Sequence, residues 1–180
     1  MKNIFLTRLE KSNVSNFTSN FGIKFRRVTH KQLSLIYRTI LKYVYRKNII
    51  VDKSSNLDKK KCYVFASNHS FFFDGSAIIA SNDRNCYSLF GATEQLYFDF
   101  HTFFIWISGL IYVNRFDKQS RKDSIEKMNR ILKAGNSILI FPEGRWNDSE
   151  NLLCQKLFAG PYNLSLLNNV EVVPVSVYNF

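Results

Sequence analysis

A histidine and an aspartate stand five residues apart in the run Phe65-Ala66-Ser67-Asn68-His69-Ser70-Phe71-Phe72-Phe73-Asp74-Gly75. An imidazole whose Nδ1–H is accepted by a carboxylate has its tautomer fixed and its imidazolium stabilised, and its Nε2 can take a proton from an alcohol. On a continuous helix, positions i and i+5 lie about 140° apart, so these side chains meet only across a turn, with Asp74 capping the helix that follows. The pair is two thirds of a triad without its nucleophile. Ser70 is a poor third member, because residues adjacent on a strand or turn point apart and the chain has no Gly-x-Ser-x-Gly elbow. A hydroxyl carried by the substrate is the more natural nucleophile. Taken alone, a His and an Asp at this spacing are more often loop polar groups than a dyad.

Two further runs change that balance. Ser137-Ile138-Leu139-Ile140-Phe141 has the pattern of a buried strand and ends in Pro142-Glu143-Gly144-Arg145-Trp146-Asn147. The proline closes the strand, and the glycine lets backbone N–H groups approach a ligand closely. Gly109-Leu110-Ile111-Tyr112-Val113-Asn114-Arg115 ends another strand in an arginine, whose planar fork suits a phosphate. Three strand ends therefore offer one base (His69), one acid (Glu143) and two guanidinium groups (Arg115 and Arg145).

The elements that must position these groups follow from the apolar patterning. Short apolar runs over 62–66, 86–90, 110–113, 137–141 and 172–178 read as strands. Helical patterns over about 74–82, 94–107, 118–134 and 155–168 lie between them. The alternation argues for an α/β domain with a mostly parallel central sheet flanked by helices, and ligands of such sheets bind at the strand ends. With 46% apolar and 16% aromatic residues in 180, the chain can bury one core without disulfides or a structural metal.

The formal charge of +11 is unevenly distributed. Residues 1–61 carry 15 Lys+Arg against 3 Asp+Glu, whereas 62–180 carry 10 against 11. A basic arm is thus attached to a neutral body. Within the arm, Leu33, Ile36, Tyr37, Ile40, Leu41, Val44 and Tyr45 recur at helical spacing over Lys31–Asn48, while Lys31, Arg38, Lys42, Arg46 and Lys47 lie largely off that face. Such a basic amphipathic helix suits an anionic membrane surface; the competing reading is a helix packed on its own domain with a solvated basic side. Residues 1–30, rich in Asn and Ser, have weak periodicity, and 52–61 reads as a polar linker. A nucleic-acid-binding module would need basic and aromatic residues interleaved on an exposed sheet, which the neutral body does not offer, so no nucleic-acid partner is expected.

Cys62, Cys86 and Cys154 are odd in number and widely spaced, which fits a reduced compartment, and His30, His69 and His101 are not clustered for zinc. No metal is expected. Met1 to Leu6 gives way at once to Thr7, Arg8 and Glu10, too short an apolar run for a secretory signal. The longest apolar stretch, Thr102–Val113, has 12 residues and could dip into a membrane interface but not cross it.

These blocks resemble the four motifs of the glycerolipid acyltransferase family, whose type member acylates 1-acyl-glycerol-3-phosphate. Asn68-His69-Ser70-Phe71-Phe72-Phe73-Asp74 is similar to its His-x-x-x-x-Asp motif, Gly109–Arg115 to the second, Phe141-Pro142-Glu143-Gly144 to the third and Val173-Pro174-Val175 to the fourth. The likeness covers about residues 62–178, so residues 62–180 are the expected catalytic core and 1–61 a basic arm with a membrane-surface helix. It implies transfer of a fatty acyl group from acyl-CoA or acyl-carrier protein to the hydroxyl of a lysophospholipid, most simply 1-acyl-glycerol-3-phosphate giving phosphatidic acid. The setting it implies is the cytoplasmic face of the membrane, with no metal or redox cofactor. His69 would be the general base and Asp74 its orienter. Arg115, Glu143 and Gly144 would hold the acceptor's phosphate end, with Arg145 a weaker candidate. Another alcohol acceptor, or a catalytically inactive lipid-binding relative, are the alternatives.

Two of the motifs depart from the family's pattern. The second motif commonly ends in Asp-Arg, where this chain has Asn114-Arg115. The third commonly reads Phe-Pro-Glu-Gly-Thr-Arg-Ser, where Arg145-Trp146-Asn147 follows Gly144 here. Family members also usually continue beyond the Val-Pro-Val strand, so a chain stopping at Phe180 is either a minimal or a shortened version. Phe71, Phe72 and Phe73 are expected in the core rather than on the acyl chain. His30 and His101, without a carboxylate in register, are expected to be structural.

Overall fold

The computed structural model describes residues 19–52, 57–70, 73–82, 86–91, 109–150 and 152–178. In chain order these form α1 (Asn20–Tyr43), β1 (Val64–Ser67), α2 (Asp74–Ser81), β2 (Cys86–Phe90), β3 (Leu110–Tyr112), α3 (Lys118–Lys133), β4 (Ser137–Ile140), α4 (Gly160–Asn168) and β5 (Val172–Val175). The strands make one sheet in the order β3-β2-β4-β1-β5. Every pairing is parallel, with Val64 beside both Ile138 and Val172, and Cys86 beside Ser137. The α/β sheet expected from the sequence is the one observed, and the expected helix over 94–107 lies outside the described residues.

Side-chain alternation along the strands makes two cores. Val64, Tyr87, Ile111, Ile138 and Ile140 face α3 and α4, where Met128, Ile131, Leu132 and Leu164 close over them. Their neighbours Phe65, Cys86 and Leu139 face the other way, onto Ile78 of α2. Burial pushes the Cys86 thiol up, so it packs as a small apolar group. Strand β3 follows directly on Gly109, which the Tyr87 ring approaches so closely that a Cβ would lie 2.5 Å from the ring, and whose φ of +109° disfavours any other residue. Pro174 sits on β5, an edge strand, where a missing N–H costs no central ladder bond.

Helix α1 differs from its expected bounds at both ends. It starts at Asn20, capped by Ser19, whose hydroxyl accepts from Gly22 N at 3.0 Å. Its inward positions are Gly22, Arg26, His30, Leu33, Tyr37 and Leu41. Because the first three are not apolar, the helical periodicity of 20–30 is hidden from a hydrophobic pattern. The helix ends at Tyr43 rather than Asn48, and Arg46 turns the chain in the left-handed region with φ +53°. Leu33, Tyr37 and Leu41 pack on Ile79 and Ala80 of α2. Ser34 Oγ and Arg38 Nε both donate to the carbonyl of Ala80 at the end of that helix. Part of the apolar face expected to meet lipid is therefore core, while Ile36, Val44 and Tyr45 are exposed.

Helix α4 starts at Gly160, five residues later than expected, with Pro161 in its first turn. The preceding residues are engaged elsewhere: Gln155 N donates to Glu143 and Phe158 N to the carbonyl of Pro142. No helix among the described residues is long and apolar enough to cross a membrane.

Candidate active site

The motif residues gather at the C-terminal edge of the sheet. Asn68 leaves β1 and both ends of its amide are bonded to Val177, two residues past β5, Nδ2 donating to Val177 O at 3.0 Å and Oδ1 accepting from Val177 N at 2.8 Å. That clamp sets the direction in which the next residue, His69, departs. Asp74 is the first residue of α2, one place inside the cap, and is 1% exposed. Its Oδ2 accepts from Ser70 N at 2.7 Å and lies 3.4 Å from His69 Nδ1. The turn thus brings base and acid together as the spacing requires. With Nδ1–H turned to the carboxylate, the imidazole has Nε2 as its basic nitrogen. The Ser70 hydroxyl takes a bond from Asn68 Nδ2 instead.

The loop after β4 holds His69 by its backbone. Glu143, only 3% exposed, accepts from His69 N through Oε1 and from Gln155 N through Oε2, both at 2.8 Å. Asn147 N donates to His69 O at 2.6 Å. Both backbone polar groups of His69 are therefore fastened to the 143–147 loop. Glu143 was expected at the acceptor's phosphate, yet both carboxylate oxygens are engaged by backbone amides. An anion also repels an anion, so the geometry gives Glu143 a supporting part. Gly144 turns the loop with φ +67°, a conformation that strains any side chain.

Arg115 reaches this loop from the end of β3. Its guanidinium donates to the carbonyl of Gly144, and its stem passes Gly91, where a Cβ would lie 3.1 Å from Cδ. Asn114, in place of the common aspartate, makes a turn around Arg115 by accepting from Phe116 N at 3.1 Å, a bond that a carboxylate would make equally. Arg145 is exposed, and its Nε donates to Gln155 Oε1 at 2.6 Å. His69, Asp74, Glu143, Gly144 and Arg115 thus form one connected set, and Arg145 joins it through Gln155. Sequence reasoning passed over Asn68, Phe141, Asn147 and Gln155. Phe141 stacks on the imidazole with ring centroids 4.1 Å apart. Among the described residues no group of three His, Cys, Asp or Glu side chains is placed to share a metal ion.

The family model described as Acyltransferase matches residues 48–178, almost three quarters of the chain. The chain belongs to the Acyltransferase family. It is 28% identical, over 132 residues, to 1-acyl-sn-glycerol-3-phosphate acyltransferase of Borreliella burgdorferi, a match covering 73% of this chain and 51% of that one. Proteins of the same description from Brassica napus, a chloroplastic form, and Chlamydomonas reinhardtii are 22% and 20% identical, with 86% of this chain and 44% and 45% of theirs covered. The chain spans about half the length of these curated relatives. The crystal structure of the 1-acyl-sn-glycerophosphate acyltransferase PlsC from Thermotoga maritima shares the fold, with a TM-score of 0.66 at 16% identity over 98% of this chain and 74% of that one.

Proposed function

We propose that this member of the Acyltransferase family transfers a fatty acyl group from acyl-CoA or acyl-carrier protein to the hydroxyl of a lysophospholipid, with 1-acyl-glycerol-3-phosphate as acceptor and phosphatidic acid as product. The observation that carries the reading is the convergence of His69 and buried Asp74 at the sheet edge, 3.4 Å apart, with the guanidinium of Arg115 bonded to the loop that holds the His69 backbone. Four matches to proteins of that activity support it, as does the family model.

In this mechanism Nε2 of His69 takes the proton of the acceptor hydroxyl as its oxygen attacks the thioester carbonyl. The C–O bond forms, the C–S bond breaks, and the departing thiolate receives the proton from the imidazolium. Asp74 orients the ring and stabilises its charge. Arg115 and Arg145 hold the acceptor's phosphate beside the turn that Gly144 makes, whose own N–H is given to Phe141 O, and this places the acceptor's hydroxyl near Nε2 and contributes through orientation. No residue in this route requires a metal or redox cofactor. Helix α1 rests on an anionic lipid surface through its outward side, where Phe21, Phe25, Val28, Leu35 and Tyr43 are exposed among Lys24, Arg27, Lys31 and Lys42. The cytoplasmic leaflet is the anionic one, so on this reading the protein works at that face as a peripheral or monotopic protein.

The test is transfer of labelled acyl-CoA or acyl-carrier protein to a panel of lysophospholipids and other lipid alcohols, by the wild type and by His69→Ala. Turnover on 1-acyl-glycerol-3-phosphate should exceed that on the rest, and the substitution should lower it about 10²–10⁴-fold. Equal turnover by both proteins would overturn the reading, and a preference for another alcohol would overturn the acceptor assignment.

A further inference from the structure

The contact between His69 and Asp74 is long for a hydrogen bond, at 3.4 Å between Nδ1 and Oδ2. A histidine's χ2 torsion is soft, so such a contact alone leaves the ring room to swing. Other groups must set its plane. One is Phe141, stacked on the imidazole at an interplanar angle of 20°. The other is Trp146, whose ring meets the imidazole at 84° with centroids 5.9 Å apart. Two aromatic neighbours at nearly perpendicular attitudes block rotation in both senses.

Trp146 is the less expected of the two, because the family's third motif commonly has arginine there. Its placement is tied to the backbone of the base itself. The next residue, Asn147, donates its N–H to His69 O at 2.6 Å, and Glu143, three residues earlier, accepts from His69 N. One loop therefore fixes the main chain of His69 and also presents the indole to its ring. Trp146 is 40% exposed, so its removal opens a partly solvated site rather than a sealed core.

We propose that Trp146 is a positioning residue for His69, holding the imidazole in the plane that keeps Nδ1 on Asp74 and Nε2 toward the acceptor hydroxyl. This rests on the acyl-transfer reading only for its kinetic consequence; the ring orientation is a property of the ligand-free protein. Near-attack geometry is sensitive to small displacements of the base, so the effect falls on turnover.

Two measurements on Trp146→Ala and Trp146→Phe test the proposal. In steady-state transfer, Trp146→Ala should lower kcat about tenfold while KM for the acceptor stays within about twofold, and Trp146→Phe should recover most of the loss. In the ligand-free protein, ring-nitrogen NMR of His69 should show the Nδ1-protonated tautomer in the wild type and in Trp146→Phe, and a mixture of tautomers in Trp146→Ala. Wild-type kcat and an unchanged tautomer in Trp146→Ala would overturn the proposal. So would a loss in kcat with the tautomer unmoved. A wild type that transfers no acyl group, yet shows the tautomer change on substitution, would sink the functional reading and leave the positioning role standing.

Discussion

Two histidines of this chain sit in opposite surroundings. His69 stands at the rim of the sheet, 19% exposed, with a carboxylate on its ring and a second carboxylate on its backbone. His30 lies in the seam where α1 meets the body, 2% exposed, and burial pushes its pKa below the ordinary value, an effect only partly offset by the backbone of Asn82. The same side chain is tied to a carboxylate near solvent in one place and packed out of solvent in the other. What separates them is a fixed anion and a path to solvent. Arg26, one turn before His30, is likewise buried, lies 5.8 Å over the Tyr87 ring and is pushed below its usual range by burial. Polar residues in the seam are covered by the packing of a helix, whereas those at the rim are tied to one another by hydrogen bonds.

The comparison breaks first at Glu143. Replacing it by alanine leaves the amides of His69 and Gln155 without their acceptor in a half-buried place, at about 1–2 kcal/mol each. The melting temperature of Glu143→Ala should fall by about 5–10 °C, and acyl transfer should fall with it even below the transition. An unchanged melting curve would show that the rim tolerates loss of that clamp.

Arg115→Ala comes next. The guanidinium contacts a backbone carbonyl of the loop and is exposed, so the fold should hold, while kcat/KM for a phosphate-bearing acceptor should fall about 10- to 100-fold through KM. An equal loss for an acceptor without a phosphate would assign Arg115 to the loop instead.

The smallest effect belongs to His30 and concerns stability alone. Burial makes this imidazole harder to protonate in the native chain than in the unfolded one, where its ordinary value is 6.5. The unfolded state then binds more protons, so stability contributed by His30 is complete above that pH and declines as pH falls below it, by at most about 1.4 kcal/mol per unit. Urea midpoints measured from pH 8 to pH 5 should show this slope in the wild type and a shallower one in His30→Gln. Identical slopes would contradict that effect of burial.

Much of the rim was legible in the sequence because parallel strands buried on both faces appear as short apolar runs, and the chemistry-bearing residues follow them directly. His69, Asp74, Gly144 and Arg115 all stand just beyond such runs. The part played by Glu143 was not legible, because its partners are backbone amides, which carry no residue signature. The clamp of Asn68 on Val177 was hidden for the same reason. The beginning of α1 was obscured by Gly22, Arg26 and His30 on its inward face, and the start of α4 by residues 155–158 bonding to the loop after β4. Tertiary bonds of this kind override local pattern.

Whether base and acid form one working unit is decided by a double-mutant cycle in the acyl-transfer assay, using His69→Ala, Asp74→Asn and the two together. On the acyl-transfer reading Asp74 contributes to turnover through the imidazole, and asparagine keeps an oxygen for the Ser70 N–H, so Asp74→Asn should cost about 10²-fold or more in the wild-type background and nothing further once His69 is alanine. Losses that multiply independently would contradict the dyad.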